Sequence, residues 1–173
     1  MEKINLNNTY CYHDFISDEE QIILKEWALA NEHRFAPNGA GPFRRFSRLD
    51  RLGALPDLFN ILKQRVIDTE DIKEFIEAPQ NADWMGVQWE TAFVEPHMDY
   101  NGENPNYYTR RYNILVSFPE AGGYPIYDNI VLSEIKEKTM WRCDAGLVLH
   151  SSVPNKGQKP RINLSYGFLM PKK

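Results

Sequence analysis

Apolar residues recur at helical spacing in the first half of the chain and crowd into short β-favouring runs in the second. Ser17 stands before Asp18, Glu19 and Glu20. That is a capping box, in which the Ser17 hydroxyl and the Glu20 carboxylate each satisfy a free backbone N–H. Ile23, Trp27 and Ala30 follow at helical intervals, so a helix is expected to run to about His33. The turn cluster Pro37-Asn38-Gly39-Ala40-Gly41-Pro42 comes next. A second helix is expected from about Pro56, with Leu58, Leu62 and Val66 on one face and Phe59 beside them. A short third helix is expected over Glu70 to Glu77, before Pro79.

From Trp84 onward the pattern is that of strands. Met85–Val94, Tyr112–Phe118, Tyr124–Ile130, Thr139–His150 and Arg161–Phe168 are rich in β-branched and aromatic residues, with turn signals between them. Such a series predicts a sandwich or small barrel. The expected organisation is one domain, residues 1–173, with a helical buttress over 1–80 and a β core over 84–169.

Hydrophobic residues make up 42% of the chain, enough to build a core without a disulfide or a structural metal. The two cysteines, Cys11 and Cys143, lie far apart, which favours a reduced, cytoplasmic setting. The N-terminus lacks the apolar stretch of a signal peptide, and no apolar run approaches a membrane span. A soluble protein without a membrane partner is expected. The net charge of −4 disfavours a general nucleic-acid binder, although a local basic groove stays open.

The chemistry centres on Glu95-Pro96-His97-Met98-Asp99-Tyr100, which follows an expected strand. In extended chain, positions i and i+2 point to one side, so His97 and Asp99 can share a cavity. A third ligand would complete a facial triad, which suits Fe(II) because three neighbouring coordination positions stay open. Of the four histidines, His13 and His33 lie in the helical half. His150, expected to end the strand Leu147–His150, is the natural third ligand. Eleven positions later comes Arg161, which opens a strand. An inward-facing arginine needs an anion, because a lone buried charge is very costly. A dicarboxylate supplies one through bidentate pairing.

These residues resemble the Fe(II)- and 2-oxoglutarate-dependent dioxygenases, whose motif is His-x-Asp, a distal His, and an Arg about ten residues later. Here it reads His97-Met98-Asp99, His150 and Arg161. Arg111–Phe118, the turn at Gly122-Gly123-Tyr124, and Asp144–His150 resemble the surrounding elements. The likeness spans Trp84 to Phe168. The helical opening at Phe15–Glu20 looks like the helices of prolyl-hydroxylase-like members. The resemblance implies a double-stranded β-helix (jelly-roll, cupin-like) barrel buttressed by helices. It implies Fe(II) on His97, Asp99 and His150, with 2-oxoglutarate and O2 as co-substrates and Arg161 on the distal carboxylate.

Many members carry Ser or Thr two residues after that Arg. Here the place is taken by Asn163, with Ser165 on the same face. Tyr112 or Asn113 would supply a further contact, and strand parity alone does not choose between them. The presence of Asp99 favours hydroxylation over halogenation, since the related halogenases replace this carboxylate by a small residue.

The implied activity is hydroxylation of a peptide, a protein side chain or an amino-acid-like small molecule, with 2-oxoglutarate converted to succinate. Tyr107, Tyr108 and Arg110 are candidate substrate contacts, and Asn101–Thr109 a candidate lid. The runner-up is a nucleic-acid demethylase of the alkylation-repair type. The run Phe43-Arg44-Arg45-Phe46-Ser47-Arg48 speaks for it if it forms a binding rim, and the acidic balance against it. The plainer reading of that run is a solvated, salt-bridged face. A third possibility is a cupin-like metal-binding barrel without oxygen chemistry, which would have no need of a buried Arg161. His-x-Asp alone is a common chance match, and only the ordered set with His150 and Arg161 carries the argument.

Overall fold

A computed structural model describes residues 1–6, 9–37, 43–76, 83–101, 103 and 105–172 of the chain. Among them the elements run β1 (Glu2–Leu6), β2 (Thr9–His13), α1 (Asp18–Asn31), β3 (Ala36–Pro37), β4 (Arg44–Arg48), α2 (Leu58–Thr69), β5 (Trp84–Gln88) and β6 (Tyr107–Ser117). There follow β7 (Ala121–Gly122), β8 (Pro125–Tyr127), β9 (Ile130–Val131), β10 (Met140–Cys143), β11 (His150–Ser152), β12 (Asn155–Lys156) and β13 (Arg161–Pro171). Eight strands form one sheet in the order β1-β2-β10-β6-β13-β5-β4-β3. A three-stranded sheet β11-β8-β9 and the pair β12-β7 complete the architecture, which is the expected jelly roll with helices packed on it.

The helices cover one face of the large sheet. α1 starts as the capping box predicts: Glu20 N–H donates to Ser17 Oγ at 3.1 Å, and Ser17 N–H to Glu20 Oε2 at 2.9 Å. Its buried face is Leu24 and Ala28 with Trp27 partly buried, whereas Ile23 is exposed. The apolar stripe is therefore turned by about one residue from the expected one. α2 buries Leu62 and Val66 as expected, but the third buried position is Phe59, with Leu58 only partly buried. Phe59 stacks edge-on against Trp27, with centroids 4.8 Å apart. Met85, Val87, Tyr112, Ile114, Ile162, Leu164, Tyr166 and Phe168 from the central strands complete this core.

Several elements differ from the sequence pattern. The first eighty residues are not only a helical buttress: β1–β2 form a hairpin, and β4 pairs with β5 inside the large sheet. No third helix follows α2 among the described residues. Asp71 adopts a positive φ of 49°, which breaks the helical path, and Ile76 exchanges two backbone hydrogen bonds with Leu169. Glu77 and residues 38–42 of the turn cluster lie outside the described residues. The expected strand Thr139–His150 is interrupted. β10 ends at Cys143, Leu147 N–H closes a turn on Asp144, and His150 opens β11 rather than ending a strand. At the turn after β7, Gly122 and Gly123 both have φ near +70°, and a Cβ on Gly122 would lie 2.0 Å from the Pro154 carbonyl oxygen.

Candidate active site

The second face of the large sheet turns toward the small sheet and encloses a cavity of roughly 260 Å³. Alternation along the strands decides what lines it. Arg111 and Asn113 of β6, Arg161, Asn163 and Ser165 of β13, and Trp84, Gly86 and Gln88 of β5 face the cavity. Their strand neighbours Tyr112, Ile162, Leu164, Met85 and Val87 face the helices.

At the cavity mouth, His97 and His150 sit directly across from each other in an isolated antiparallel bridge. His97 N–H donates to the His150 carbonyl at 3.0 Å, and His150 N–H to the His97 carbonyl at 2.9 Å. Asp99 is fixed two residues on, its N–H donating to the Ala145 carbonyl at 2.8 Å. The extended backbone turns His97 and Asp99 to one side, as expected, but through this bridge rather than a regular strand. His97 Nε2 lies 3.4 Å and His150 Nε2 3.8 Å from Asp99 Oδ1. One donor atom from each residue falls within 4.8 Å of the others.

The surroundings orient all three side chains. A backbone carbonyl can only accept, so His97 Nδ1–H donates to the Glu95 carbonyl (2.7 Å) and His150 Nδ1–H to that of Val148 (3.2 Å). Each Nε2 is thereby aimed at the common point, the arrangement that outer-shell hydrogen bonds give metal-binding histidines. The Arg111 guanidinium pairs with Asp99 Oδ2, leaving Oδ1 toward the histidines. Burial raises the Asp99 pKa, but His97 and Arg111 more than offset that and hold the carboxyl well below its usual range. Contact with Asp99 raises the pKa of His97 despite partial burial. Burial, joined by the charge of His97, lowers that of His150. Two imidazoles and an ionised carboxylate, all on one side, form a donor set that fits a divalent iron-group metal with an open face.

Behind this cluster lies a second feature. Arg161 is 4% exposed and has no hydrogen bond or ion pair to any described residue; the Trp141 ring lies 5.9 Å from its guanidinium carbon. Burial and the neighbouring Arg44 lower its pKa to about 10, so it stays charged at neutral pH. Around it, Gln88 Oε1, Asn163 Oδ1, Ser165 Oγ and Arg44 Nε are also buried without a hydrogen-bond partner. Buried polar atoms are almost always satisfied, and five of the nine unsatisfied ones among the described residues gather on this cavity, which suits a polar ligand.

The structure brings together His97, Asp99, His150, Arg161, Asn163, Ser165 and Asn113. It separates Tyr112 from them. That ring is buried on the helix side against Phe168, so of the two candidates at this point Asn113 faces the cavity, where its Oδ1 accepts from Asn163 Nδ2 at 3.2 Å. Tyr107, Tyr108 and Arg110 do not line the cavity. Tyr108 and Arg110 project with Tyr112 from the other side of β6, where Arg110 pairs with Asp144 at 2.5 Å and with the Tyr108 hydroxyl. The lid expected over Asn101–Thr109 is tied at both ends: Asn101 Nδ2 donates to the Gly146 carbonyl, and Thr109 N–H to Asn101 Oδ1, each at 2.8 Å. Tyr107–Thr109 already belong to β6, and residues 102 and 104 lie outside the described residues.

The basic run is salt-bridged at one end, as its plainer reading has it, and half-buried along its length. It is β4, with Arg48 paired to Asp50 and Arg44 facing the cavity. Sequence reasoning missed Arg44, Arg111 and Gln88 as cavity residues. Arg111 shares the parity of Asn113, and Arg44–Phe46–Arg48 is itself an alternating triplet, so strand parity was the signal available.

The sequence matches no family model and no curated protein. The fold is shared with solved structures. The viral collagen prolyl hydroxylase vCPH of Paramecium Bursaria Chlorella virus-1, in complex with 2-oxoglutarate, is 14% identical with a TM-score of 0.64, covering 94% of this chain and 95% of its own. The non-heme α-ketoglutarate-dependent epimerase SnoN of nogalamycin biosynthesis is 12% identical with a TM-score of 0.69, covering 94% and 77%. HygX of Streptomyces hygroscopicus, with nickel and 2-oxoglutarate bound, is 9% identical with a TM-score of 0.63, covering 92% and 82%. This chain has the fold of these 2-oxoglutarate-dependent oxygenases. Among the described residues no helix is long and apolar enough to cross a membrane.

Proposed function

We propose that the chain is an Fe(II)- and 2-oxoglutarate-dependent oxygenase that hydroxylates a peptide, a protein side chain or an amino-acid-like molecule. The observation that carries this reading is Arg161, a buried guanidinium without an anion, in the same cavity as a two-histidine, one-carboxylate cluster. A metal-binding barrel without co-substrate chemistry would carry the cost of that charge for nothing.

In this reading His97, Asp99 and His150 hold the metal, and Arg161 pairs with the distal carboxylate of 2-oxoglutarate. Ser165 and Asn163 turn polar atoms toward the same wall and can hydrogen-bond the co-substrate, with Asn113 fixing the Asn163 amide. Bound iron and 2-oxoglutarate together supply the oxidation with O2, releasing succinate and carbon dioxide. Arg111 keeps Asp99 ionised and oriented, and the Glu95 and Val148 carbonyls keep both imidazoles in the tautomer that presents Nε2. Trp84, Trp141 and Phe46 give the cavity apolar walls, which limit water around the reacting centre.

Similar structures named as a prolyl hydroxylase and as an epimerase show that one fold serves several outcomes, so hydroxylation is the reading favoured by the retained Asp99 rather than by the fold. With Arg48 paired to Asp50 and Arg44 lining the cavity, the basic run offers less to a nucleic-acid backbone, and this weakens the argument for such a substrate. The cytoplasmic setting stands as part of this proposal, and Cys11 and Cys143 are free thiols. The test is succinate release with Fe(II), 2-oxoglutarate and O2 across peptides, free amino acids and methylated oligonucleotides. Turnover stimulated by a peptide or amino acid, and abolished in His150→Ala, is expected. Stimulation by methylated bases alone would replace hydroxylase with demethylase.

A further inference from the structure

Arg44 is the cation that the proposed reading leaves without an anion. It stands on β4 opposite Gln88, and Arg161 stands opposite the same Gln88 from β13. The two arginines thus leave one cross-strand row about 10 Å apart at the backbone, two strand spacings. Both face the cavity. Arg44 Nε is buried without a partner, and the Phe46 ring lies 5.4 Å from its guanidinium carbon. Burial lowers its pKa, and the exposed Glu95 acts on it only across space, with no ion pair or hydrogen bond. Arg44, Arg161, His97, Asp99 and His150 all line this one cavity.

The charges of the cavity do not balance without a further anion. Its lining holds three arginines, Arg44, Arg111 and Arg161, against one carboxylate, Asp99. A divalent metal and a dianionic 2-oxoglutarate cancel. The loaded cavity therefore keeps two positive charges in excess. With Arg111 paired to Asp99 and the distal carboxylate of 2-oxoglutarate on Arg161, one of these charges stays at the metal and the other is that of Arg44. Arg44 remains. Stacking on Phe46 alone would be the plain account of it, but Arg44 is half-buried against the cavity, its Nε is shut off from water without a partner, and no described carboxylate pairs with it.

We propose that Arg44 anchors a carboxylate of the substrate, so that the substrate is a small carboxylate-bearing molecule of the amino-acid or N-acylamino-acid class. This inference rests on the oxygenase reading. Its acid would lie against β4 while the rest of the molecule extends toward His97, Asp99 and His150.

The experiment uses the whole protein loaded anaerobically with Fe(II) and 2-oxoglutarate. It is titrated with free and N-acetylated amino acids and with their carboxamides, and followed by calorimetry and by the fluorescence of Trp84 and Trp141, which line the cavity. Acids are expected to bind at least about tenfold tighter than the matched amides, the worth of one charged hydrogen-bonded contact. Arg44→Gln should erase that preference, Arg44→Lys should keep part of it, and the Kd for 2-oxoglutarate should move by no more than about threefold in either variant. An absent or equal response to acids and amides in the parent protein overturns the proposal. So does a loss of 2-oxoglutarate affinity in Arg44→Gln as large as in Arg161→Gln, which would make Arg44 part of the co-substrate clamp. If 2-oxoglutarate itself fails to bind the Fe(II)-loaded parent, the oxygenase reading fails and takes this inference with it. Binding of 2-oxoglutarate without acid preference sinks this inference alone.

Discussion

Along β5, Met85 and Val87 turn toward the helices while Trp84, Gly86 and Gln88 turn toward the cavity. On the helix side the residues are mostly apolar, and the deeply buried Tyr166 hydroxyl donates to the Phe59 carbonyl at 2.6 Å. On the cavity side, alternating positions of the same strands carry Arg161, Arg44, Gln88, Asn163 and Ser165 with buried polar atoms unpaired. Unpaired buried polar atoms are concentrated on the cavity side, with Glu70 Oε1 at the end of α2 an exception on the other. Folding is driven mainly by the first face, and in the proposed reading the second is held in place at a cost that a bound ligand would relieve.

That contrast can be broken most severely from the helix side. Phe59→Ala removes a ring buried between α1, α2 and the sheet and should cost about 3–5 kcal/mol of stability in denaturant unfolding. A loss below about 1 kcal/mol would mean that this face is not the stabilising one. On the cavity side the sign should reverse. Arg161→Met replaces an unpaired buried charge by an apolar side chain of similar length, and should leave the ligand-free protein at least as stable as the parent, by up to about 2 kcal/mol more. Fe(II) plus 2-oxoglutarate should then raise the Tm of the parent and not that of the variant, because only a ligand that binds the folded state stabilises it. Destabilisation by several kcal/mol in Arg161→Met would show that the guanidinium is satisfied within the fold.

A smaller effect tests the helix face at its edge. Glu20 receives two hydrogen bonds from Arg65, at 2.6 and 2.9 Å, and caps Ser17 N–H. Arg65 lowers its pKa below 4.5, with burial opposing and Ser17 assisting. A carboxylate with a depressed folded pKa contributes stability in full above its unfolded pKa and loses it as pH falls through the folded value. Glu20→Gln should therefore cost about 1 kcal/mol at neutral pH, and the difference from the parent should shrink in acid below about pH 4. A pH-independent difference would mean that the charge on Glu20 is not what matters.

The same contrast explains what could be read from the sequence. The capping box at Ser17–Glu20 and the α2 stripe are local signals, and both appear where the pattern puts them, although burial of Leu24 in place of Ile23 depends on the packing of α1 against the sheet. His97, Asp99, His150 and Arg161 were legible because their order and spacing carry the chemistry. Their joining was not local: the bridge between His97 and His150 spans more than fifty residues of chain. Asn113 and Tyr112 could not be separated because the partner strand is known only from the fold, and β13 carries a register shift between Ile162 and Asn163. β4 was not read as a strand, only as a solvated or salt-bridged face, because its cavity-side residue is an arginine. A strand that builds a binding site breaks the polar-out alternation that reveals ordinary strands. The hairpin β1–β2 was overlooked for lack of length, five residues in each strand.

The account stands or falls on whether one cavity holds a metal and a dicarboxylate together. The direct measurement is an anaerobic titration of the protein with Fe(II) and 2-oxoglutarate, followed by visible absorption. Iron alone and 2-oxoglutarate alone should give no visible charge-transfer band. Both together should give one, lost in His150→Ala and shifted to at least about tenfold higher 2-oxoglutarate in Arg161→Met, for want of the bidentate partner. A parent protein that binds Fe(II) but shows no band at saturating 2-oxoglutarate, or a band indifferent to both substitutions, would contradict the account.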